Sequence, residues 1–245
     1  MWFEYGITTI HNASMEPEIV SLGDFLCKIG AKVNGIGSDS LEVHPIENEN
    51  NYIDFDIIPD RIEAGTFLIA CAATGGCLTL QNIYTPDIQV VIDLLINVGC
   101  KISYKENNVT IESDGKIDPC DIETLEFPGF PTDLQAQWMA LMSVSKGIST
   151  IKENIYKDRF THISELMRMG ADITLKENIA TIHGRERLYP APVMCTDIRA
   201  SAALVISALC AKGKTEISRI YHIDRGYENI ELKLKKVGAQ IRRLN

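Results

Sequence analysis

The chain repeats one arrangement of apolar and polar positions four times. In each copy an apolar helical pattern ends at a glycine, and an alternation of apolar and polar residues typical of half-buried strands follows. Glycine ends a helix readily because it adopts the left-handed backbone conformation without a side-chain clash. The pattern therefore predicts four helix ends, each followed by two short strands. The segments are residues 26–33, 95–102, 166–173 and 234–241, whose glycines Gly30, Gly99, Gly170 and Gly238 lie 69, 71 and 68 residues apart.

A second helical pattern, rich in alanine and leucine, precedes each of the last three copies and leads into a strand. These helices are predicted over residues 62–73, 133–144 and 198–211. The complete unit reads strand, helix, strand, helix, strand, strand, which predicts an α/β fold of about three and a half βαβαββ units. The first copy lacks its opening strand and helix, so the chain is expected to begin in mid-repeat. The polar stretch 47–51 is the expected domain boundary.

Composition narrows the class of protein. The chain has 245 residues, 45% of them hydrophobic, which suffices for one large domain or two small ones. The sequence has no uncharged apolar run of about 20 residues and no signal-peptide pattern, so we expect a cytoplasmic protein with no membrane partner. A formal net charge of −9 argues against nucleic acid but leaves an anionic small molecule open.

The seven cysteines point to packing rather than to chemistry. They are scattered singly, without a Cys-x-x-Cys pair or a histidine at zinc-ligand spacing. Most lie among aliphatic residues, where a thiol behaves as a small buried hydrophobe. We therefore expect reduced cysteines, no metal site and no catalytic cysteine.

Three helix starts carry an aspartate: Asp60, Asp133 and Asp197. One interpretation is structural, because Asp60 with Glu63 and Thr132 with Gln135 have capping-box spacing. The other is functional, because helix starts of a symmetric repeat can face a common cleft, where their amides bind anions and an aspartate can act as a base. The spacing does not distinguish Asp133 from Asp197.

Two of the four loops after the middle strands of the units contain arginines, at Arg159 and at Arg219 and Arg225. An ordinary surface salt bridge explains each of them as well as anion binding does, although guanidinium groups suit phosphate and carboxylate better than ammonium groups. The nearby histidines, including His162, have no partner at fixed spacing and are interpreted as structural.

Four motifs together make the chain resemble a known family. They read PTDLQAQ at 131–137, DRF at 158–160 followed by RMGA at 168–171, TDIRASA at 196–202, and IYHIDRGYE at 220–228. In this order they resemble the carboxy-terminal portion of UDP-N-acetylglucosamine 1-carboxyvinyltransferase, an enolpyruvyl transferase. Weaker similarity extends over residues 6–244.

The resemblance implies a fold of two similar domains, each an inside-out α/β barrel of three repeats. Residues 1–52 would be the tail of the first domain and residues 53–245 the second. The implied reaction transfers the enolpyruvyl group of phosphoenolpyruvate to the 3-hydroxyl of UDP-N-acetylglucosamine, releases phosphate and begins peptidoglycan synthesis. No metal or organic cofactor is implied. A complementary amino-terminal chain would have to supply the family's cysteine acid and its lysine-asparagine pair.

The resemblance also implies roles for six residues. Asp133 would contact the sugar hydroxyl and act as its base. Ile155 would contact the UDP-sugar, and Asp197 would lie near the reacting centre. Anionic groups of the substrates would be held by Arg159, Arg199 and Arg225.

Two alternatives stay open. The chain could be an inactive family remnant that serves as a binding or assembly module, because a repeat cut open exposes strand edges. It could also be a relative of 3-phosphoshikimate 1-carboxyvinyltransferase, which shares the repeat. The segments Asp-Arg-Gly-Tyr-Glu and Pro-Thr-Asp-Leu-Gln favour the UDP-sugar branch.

Overall fold

The computed structural model describes residues 6–45 and 52–244. The expected boundary at 47–51 and the first five residues lie outside this part. The described chain forms two compact units, one of residues up to Pro59 with 126–129, the other of residues 60–125 and from Phe130 onward. The assignment of 1–52 and 53–245 to two enolpyruvyl transferase domains stays a prediction.

The first unit contains a three-stranded sheet and one helix. Its strands are β1 (Thr8–His11), β2 (Val33–Asn34) and β3 (Ser40–Val43), with β3 pairing antiparallel to both of the others. The helix α1 (Pro17–Lys28) begins at a proline, which suits the first turn because the missing amide hydrogen has no helical partner there.

Three buried helices form the centre of the second unit: α2 (Arg61–Thr74), α4 (Gln135–Met142) and α6 (Ile198–Cys210). They contact one another, and all eight residues of α4 are buried. A helix that is apolar on every face is stable only inside a core, which explains the alanine-rich pattern without a polar stripe. The three predicted helices are thus confirmed, with α4 preceded by a 3₁₀ turn, Thr132–Leu134.

Each buried helix leads into a strand of a separate sheet. The strands are β4 (Gly76–Leu80), β5 (Lys101–Lys105), β6 (Asn108–Ser113), β7 (Ile122–Glu123), β8 (Ile148–Lys152), β9 (Asp172–Lys176), β10 (Ile179–His183), β11 (Pro192–Met194) and β12 (Glu216–Ser218). The first sheet has the order β4-β6-β5, the second β7-β8-β10-β9 and the third β11-β12. In the first two sheets, a central strand pairs antiparallel with both neighbours: β6 with β4 and β5, and β10 with β8 and β9.

The glycine helix stops are confirmed. All four glycines have φ between 88° and 109°. In each case the amide after the glycine donates to the carbonyl oxygen five residues earlier, as Ala171 does to Leu166 at 3.1 Å. The helices that end this way are α1, α3 (Gln89–Asn97), α5 (Ile163–Arg168) and α7 (Ile230–Lys236).

The expectation of two strands after every such helix is wrong for the last one. Residues 238–244, which follow α7, form no strand, and neither do residues 52–60 before α2. A strand needs a partner for its backbone groups, and in the part of the chain that the structure describes β12 pairs only with β11. A groove of about 710 Å³ lies between β12 and residues 240–244, with an apolar lining that includes Val205, Leu209 and Ile230.

None of the helices in the described ranges is long and apolar enough to cross a membrane. The seven cysteines are free thiols. Cys71, Cys100 and Cys195 are buried as expected, whereas Cys27 and Cys77 are exposed because they lie on outer positions of α1 and β4.

Candidate active site

Of the three aspartates at helix starts, two cap their helices and one does not. Asp60 accepts hydrogen bonds from the amides of Ile62 (2.8 Å) and Glu63 (2.9 Å) and so caps α2. Asp197 caps α6 in the same way, through two amides at 2.9 Å. Asp133 caps nothing, because the 3₁₀ turn before α4 directs its carboxylate away from the helix amides. The structure therefore separates one aspartate from two that look the same in sequence.

Asp133 lies between two arginines. Its Oδ1 is 2.6 Å from Nη1 of Arg159, and its Oδ2 accepts hydrogen bonds from Nη2 (2.8 Å) and Nε (3.1 Å) of Arg199. About a third of the Asp133 side chain is exposed, against less than a fifth of each arginine side chain. Two fixed guanidinium groups beside an accessible carboxylate suit a ligand that carries both a hydroxyl and anionic groups.

The two arginines also keep Asp133 ionised. Burial alone would raise the pKa of this carboxyl, but the charges of Arg199 and Arg159 and their hydrogen bonds outweigh burial and lower the pKa. Asp133 is thus a carboxylate at neutral pH, able to accept a hydrogen bond from a hydroxyl group.

The buried residue Tyr227 orients Arg199 through a hydrogen bond. The Tyr227 hydroxyl is 2.9 Å from Oγ1 of Thr66 and accepts hydrogen bonds from Nε2 of Gln137 (3.1 Å) and Nη1 of Arg199 (3.3 Å). Gln137 also donates to the carbonyl oxygen of Asp133 at 3.0 Å. Burial raises the pKa of Tyr227, so the phenol stays protonated at neutral pH. Hydrogen bonds to one hydroxyl group thereby connect side chains of α2, α4 and α6 next to the ion pairs of Asp133.

The loop after β8 supplies Arg159 and Ile155. Arg159 Nη1 donates to Oγ1 of Thr132 at 3.0 Å in addition to its contact with Asp133. Ile155, at the start of the same loop, is 45% exposed and offers an apolar surface to a ligand. The expected capping box of Thr132 with Gln135 is wrong, because the Thr132 hydroxyl bonds to Glu153 and not to a helix amide.

Asp197 and Arg225 lie near this centre without contacting Asp133. Asp197 Oδ2 accepts from the Thr161 hydroxyl at 3.1 Å, which joins the cap of α6 to the end of the Arg159 loop. Arg225 is exposed, and its side chain makes no hydrogen bond or ion pair with another described residue. Its neighbour Gly226 packs so closely on α6 that an added Cβ would lie 2.7 Å from Cγ2 of Ile198 and 3.7 Å from Nη1 of Arg199.

The structure thus brings Asp133, Arg159 and Arg199 into direct contact and leaves Ile155, Asp197 and Arg225 around them. The groups that hold this centre are Thr66, Thr132, Gln137, Glu153 and Tyr227. Sequence reasoning interpreted Thr132 as part of a capping box and gave the other four no role. Thr132, Gln137 and Tyr227 fall inside the quoted motifs, whereas Thr66 and Glu153 do not. Among the residues that the structure describes, no group of three or more His, Cys, Asp or Glu side chains could hold a metal.

His162, between the Arg159 loop and α5, is almost completely buried, and its Nε2 has no hydrogen-bond partner in the described part of the chain. Burial lowers its pKa from 6.5 to about 4, with Asp197 opposing the shift and Arg159 adding to it. The unfolded chain therefore takes up a proton between pH 6.5 and 4 that the folded chain does not. Stability from this residue is complete above pH 6.5 and declines as the pH falls toward 4.

We expect this single histidine to lower the free energy of unfolding by about 3 kcal/mol between pH 7 and pH 4. Urea unfolding at several pH values in this range, with the wild type and with His162→Gln, measures the effect. Glutamine does not titrate, so its curve should be flatter than that of the wild type. Parallel curves would contradict the buried neutral histidine.

The fold defines an α/β protein of the enolpyruvyl transferase class. The crystal structure of the enolpyruvyl transferase NikO from Streptomyces tendae is similar with a TM-score of 0.84, at 25% sequence identity, over 98% of this chain and 57% of that chain. The chain belongs to the family whose profile is described as EPSP synthase (3-phosphoshikimate 1-carboxyvinyltransferase), which matches residues 2–234.

Curated relatives confirm the resemblance to the UDP-sugar branch. The chain is 49% identical over 240 residues to the UDP-N-acetylglucosamine 1-carboxyvinyltransferase of Magnetococcus marinus, covering 98% of this chain and 57% of that protein. It is 48% identical over 238 residues to the protein of the same name from Chloroherpeton thalassium, covering 97% and 55%. The chain spans little more than half the length of these relatives.

Proposed function

We propose that the chain takes part in transfer of the enolpyruvyl group of phosphoenolpyruvate to the 3-hydroxyl of UDP-N-acetylglucosamine, in peptidoglycan precursor synthesis. The observation that carries the proposal is the Asp133 carboxylate held between Arg159 and Arg199. The names of the curated relatives support the choice of substrates.

The reaction forms a bond between the sugar O3 and the enolpyruvyl carbon and breaks the bond between that carbon and a phosphate oxygen. The hydroxyl loses its proton, and we assign that proton to Asp133. Arg159, Arg199 and Arg225 would hold the carboxylate and phosphate groups of the substrates, while Ile155 would contact the UDP-sugar. Asp197 would act near the reacting carbon from the start of α6.

The ion pairs of Asp133 bear on its strength as a base. While both guanidinium groups face it, its pKa is lowered and it binds a proton weakly. An anionic substrate that engages the same guanidinium groups would neutralise part of their charge, and the pKa of Asp133 would then rise. Substrate binding would thus prepare the base for the proton transfer.

Two finer features of the fold belong to the same proposal. We infer that residues 53–245 form an inside-out α/β barrel of three βαβαββ repeats, of which the first lacks its opening strand and the last its two closing strands, and that residues 1–52 are the tail of a companion domain. Three mutually packed helices, each leading into its own sheet, support this arrangement.

A complementary chain is proposed to supply the rest of the enzyme, including a strand for the third sheet. In the first two sheets β6 and β10 separate the strand after the buried helix from the outer strand. In the third sheet, the place beside β12 that β6 and β10 fill in the other two is the apolar groove. Residues 240–244 line the side of this groove opposite β12. A strand with alternating apolar residues, antiparallel to β12, fits this position.

Phosphate release from phosphoenolpyruvate and UDP-N-acetylglucosamine tests the proposal, with the chain alone and with an added amino-terminal half of a relative. We expect release only in the mixture, together with slower amide hydrogen exchange in β12 and in residues 240–244. Absence of release and of added protection in the mixture would refute both the transfer and the proposed partner.

One other function has an observation in its favour. The open edge of β12 and its apolar groove suit a binding or assembly module that performs no transfer. Slower amide exchange in the mixture without phosphate release would support it.

The matching family profile is named after 3-phosphoshikimate 1-carboxyvinyltransferase. For this reason 3-phosphoshikimate is the second acceptor to test in the same assay.

A further inference from the structure

Glu153, directly after β8, is a fully buried carboxylate with an unusual number of donors. Its Oε1 accepts hydrogen bonds from the Thr124 hydroxyl (2.6 Å) and from the amides of Ile155 (2.9 Å) and Tyr156 (3.0 Å). Its Oε2 accepts from the Thr132 hydroxyl at 2.9 Å. Its exposed fraction is 0%. Hydrogen bonds to a charged acceptor are stronger than neutral ones, so the carboxylate holds the start of the loop firmly.

A continuous path leads from this carboxylate to the candidate base. The Thr132 hydroxyl has one hydrogen, which it gives to Glu153, so its oxygen lone pairs remain for Nη1 of Arg159 at 3.0 Å. The same Nη1 is 2.6 Å from Oδ1 of Asp133. Glu153 therefore determines the direction of the Thr132 hydroxyl, and through it one of the contacts that orient Arg159.

The loops after β1, β4 and β12, the strands that correspond to β8 in the other units, begin with a different backbone conformation. Asn12, Asn82 and Arg219, which open the loops after β1, β4 and β12, have φ values of 56°, 58° and 57°. Asn154 opens the loop after β8 and has no positive φ. The residues before the other three are His11, Gln81 and Ser218, none of which carries a carboxylate. The different backbone conformation thus occurs in the one loop in which a carboxylate accepts from the amides two and three residues later, those of Ile155 and Tyr156.

We propose that Glu153 is a positioning residue of the enolpyruvyl transfer site. It fixes the loop so that Ile155 and Arg159 face the UDP-sugar, and it orients Arg159 toward Asp133 through Thr132. The inference rests on the proposed function, because the ligand that the loop would meet is the one proposed above.

The first arm of the test is amide hydrogen exchange, which needs no substrate. In Glu153→Gln we expect exchange at Ile155 and Tyr156 to accelerate about tenfold or more, because a neutral amide cannot replace a carboxylate that accepts from four donors. Amides of β8 and β10 should keep their wild-type rates. Glu177→Gln, an exposed change in the turn between β9 and β10, is the matched control and should leave the loop unaffected.

The second arm is steady-state kinetics of the chain with its amino-terminal complement. Glu153→Gln should raise KM for UDP-N-acetylglucosamine about tenfold, with KM for phosphoenolpyruvate changed less than about twofold. Thr132→Val should behave in the same way, because it breaks the path to Arg159. Thr132→Ser keeps the hydroxyl group and should therefore keep the wild-type KM.

Unchanged exchange at Ile155 and Tyr156 in Glu153→Gln would overturn the proposal. An equal acceleration across β8 and β10 would overturn it too, since Glu153 would then serve the general stability of the fold. If the wild-type mixture releases no phosphate, the proposed function fails, while the exchange arm still decides whether Glu153 holds the loop.

Discussion

Replacement of Asp133 by asparagine is expected to lower phosphate release by the complemented enzyme about a thousandfold, within the range that a lost general base accounts for. Asparagine has nearly the same shape, but it cannot take the proton of the sugar hydroxyl. It also leaves Arg159 and Arg199 without their shared anion. Initial rates at saturating phosphoenolpyruvate and UDP-N-acetylglucosamine measure the loss.

Asp60→Asn is the matched control, because Asp60 occupies the equivalent helix start and caps α2 through two amides. Asparagine is as good a helix cap as aspartate, so this variant should keep wild-type stability and wild-type transfer. Asp133→Asn leaves two arginines that are less than a fifth exposed without their shared anion, so we expect it to lose some stability, and its rate is to be compared at a temperature at which it is fully folded. A variant at Asp133 that keeps more than about a tenth of the wild-type rate would rule out its role as the base.

The second large effect concerns stability. Trp138→Ala should lower the free energy of unfolding by about 3–5 kcal/mol, the usual cost of removing a large buried aromatic side chain. Trp138 lies in the middle of α4 with no exposed surface, and its ring meets Phe130 edge to face with centroids 5.6 Å apart. Chemical denaturation at pH 7 measures the change.

Trp138→Phe serves as the comparison, with an expected loss of about 1–2 kcal/mol, because phenylalanine refills most of the space. It also removes the indole Nε1, a buried donor without a partner in the described part of the chain. A loss below about 1 kcal/mol in Trp138→Ala would mean that α4 is not the packing centre of this unit.

Much of the local structure could be predicted from the pattern of residues. The four glycine helix stops depend on interactions within a few residues, and the three alanine-rich helices have an apolar pattern and a helix propensity that can be read from neighbouring residues. The structure has both where the pattern predicts them. The strands after α7 could not be predicted in the same way. A strand depends on a partner that lies far away in the sequence, and β12 has only β11 in the residues that the structure describes.

Some residues of the candidate site could likewise be predicted from the sequence, whereas others could not. The motifs that resemble the enolpyruvyl transferases name Asp133, Arg159 and Arg199, and the structure brings these three side chains together. Spacing alone could not separate Asp133 from Asp197, because a capping aspartate and an active-site aspartate occupy the same position at a helix start. Tyr227 and Glu153 hold the arginines through contacts between distant segments, for which the sequence has no local signal.

The sequence by itself therefore determined the helix ends, the buried helices, the α/β class and the family, because each of these is carried by neighbouring residues or by motifs. Only the tertiary structure decided which aspartate faces the arginines, which side chains hold them and which sheet edge stays open. Those features depend on hydrogen bonds and ion pairs between residues that only the folded chain brings within 3 Å of one another.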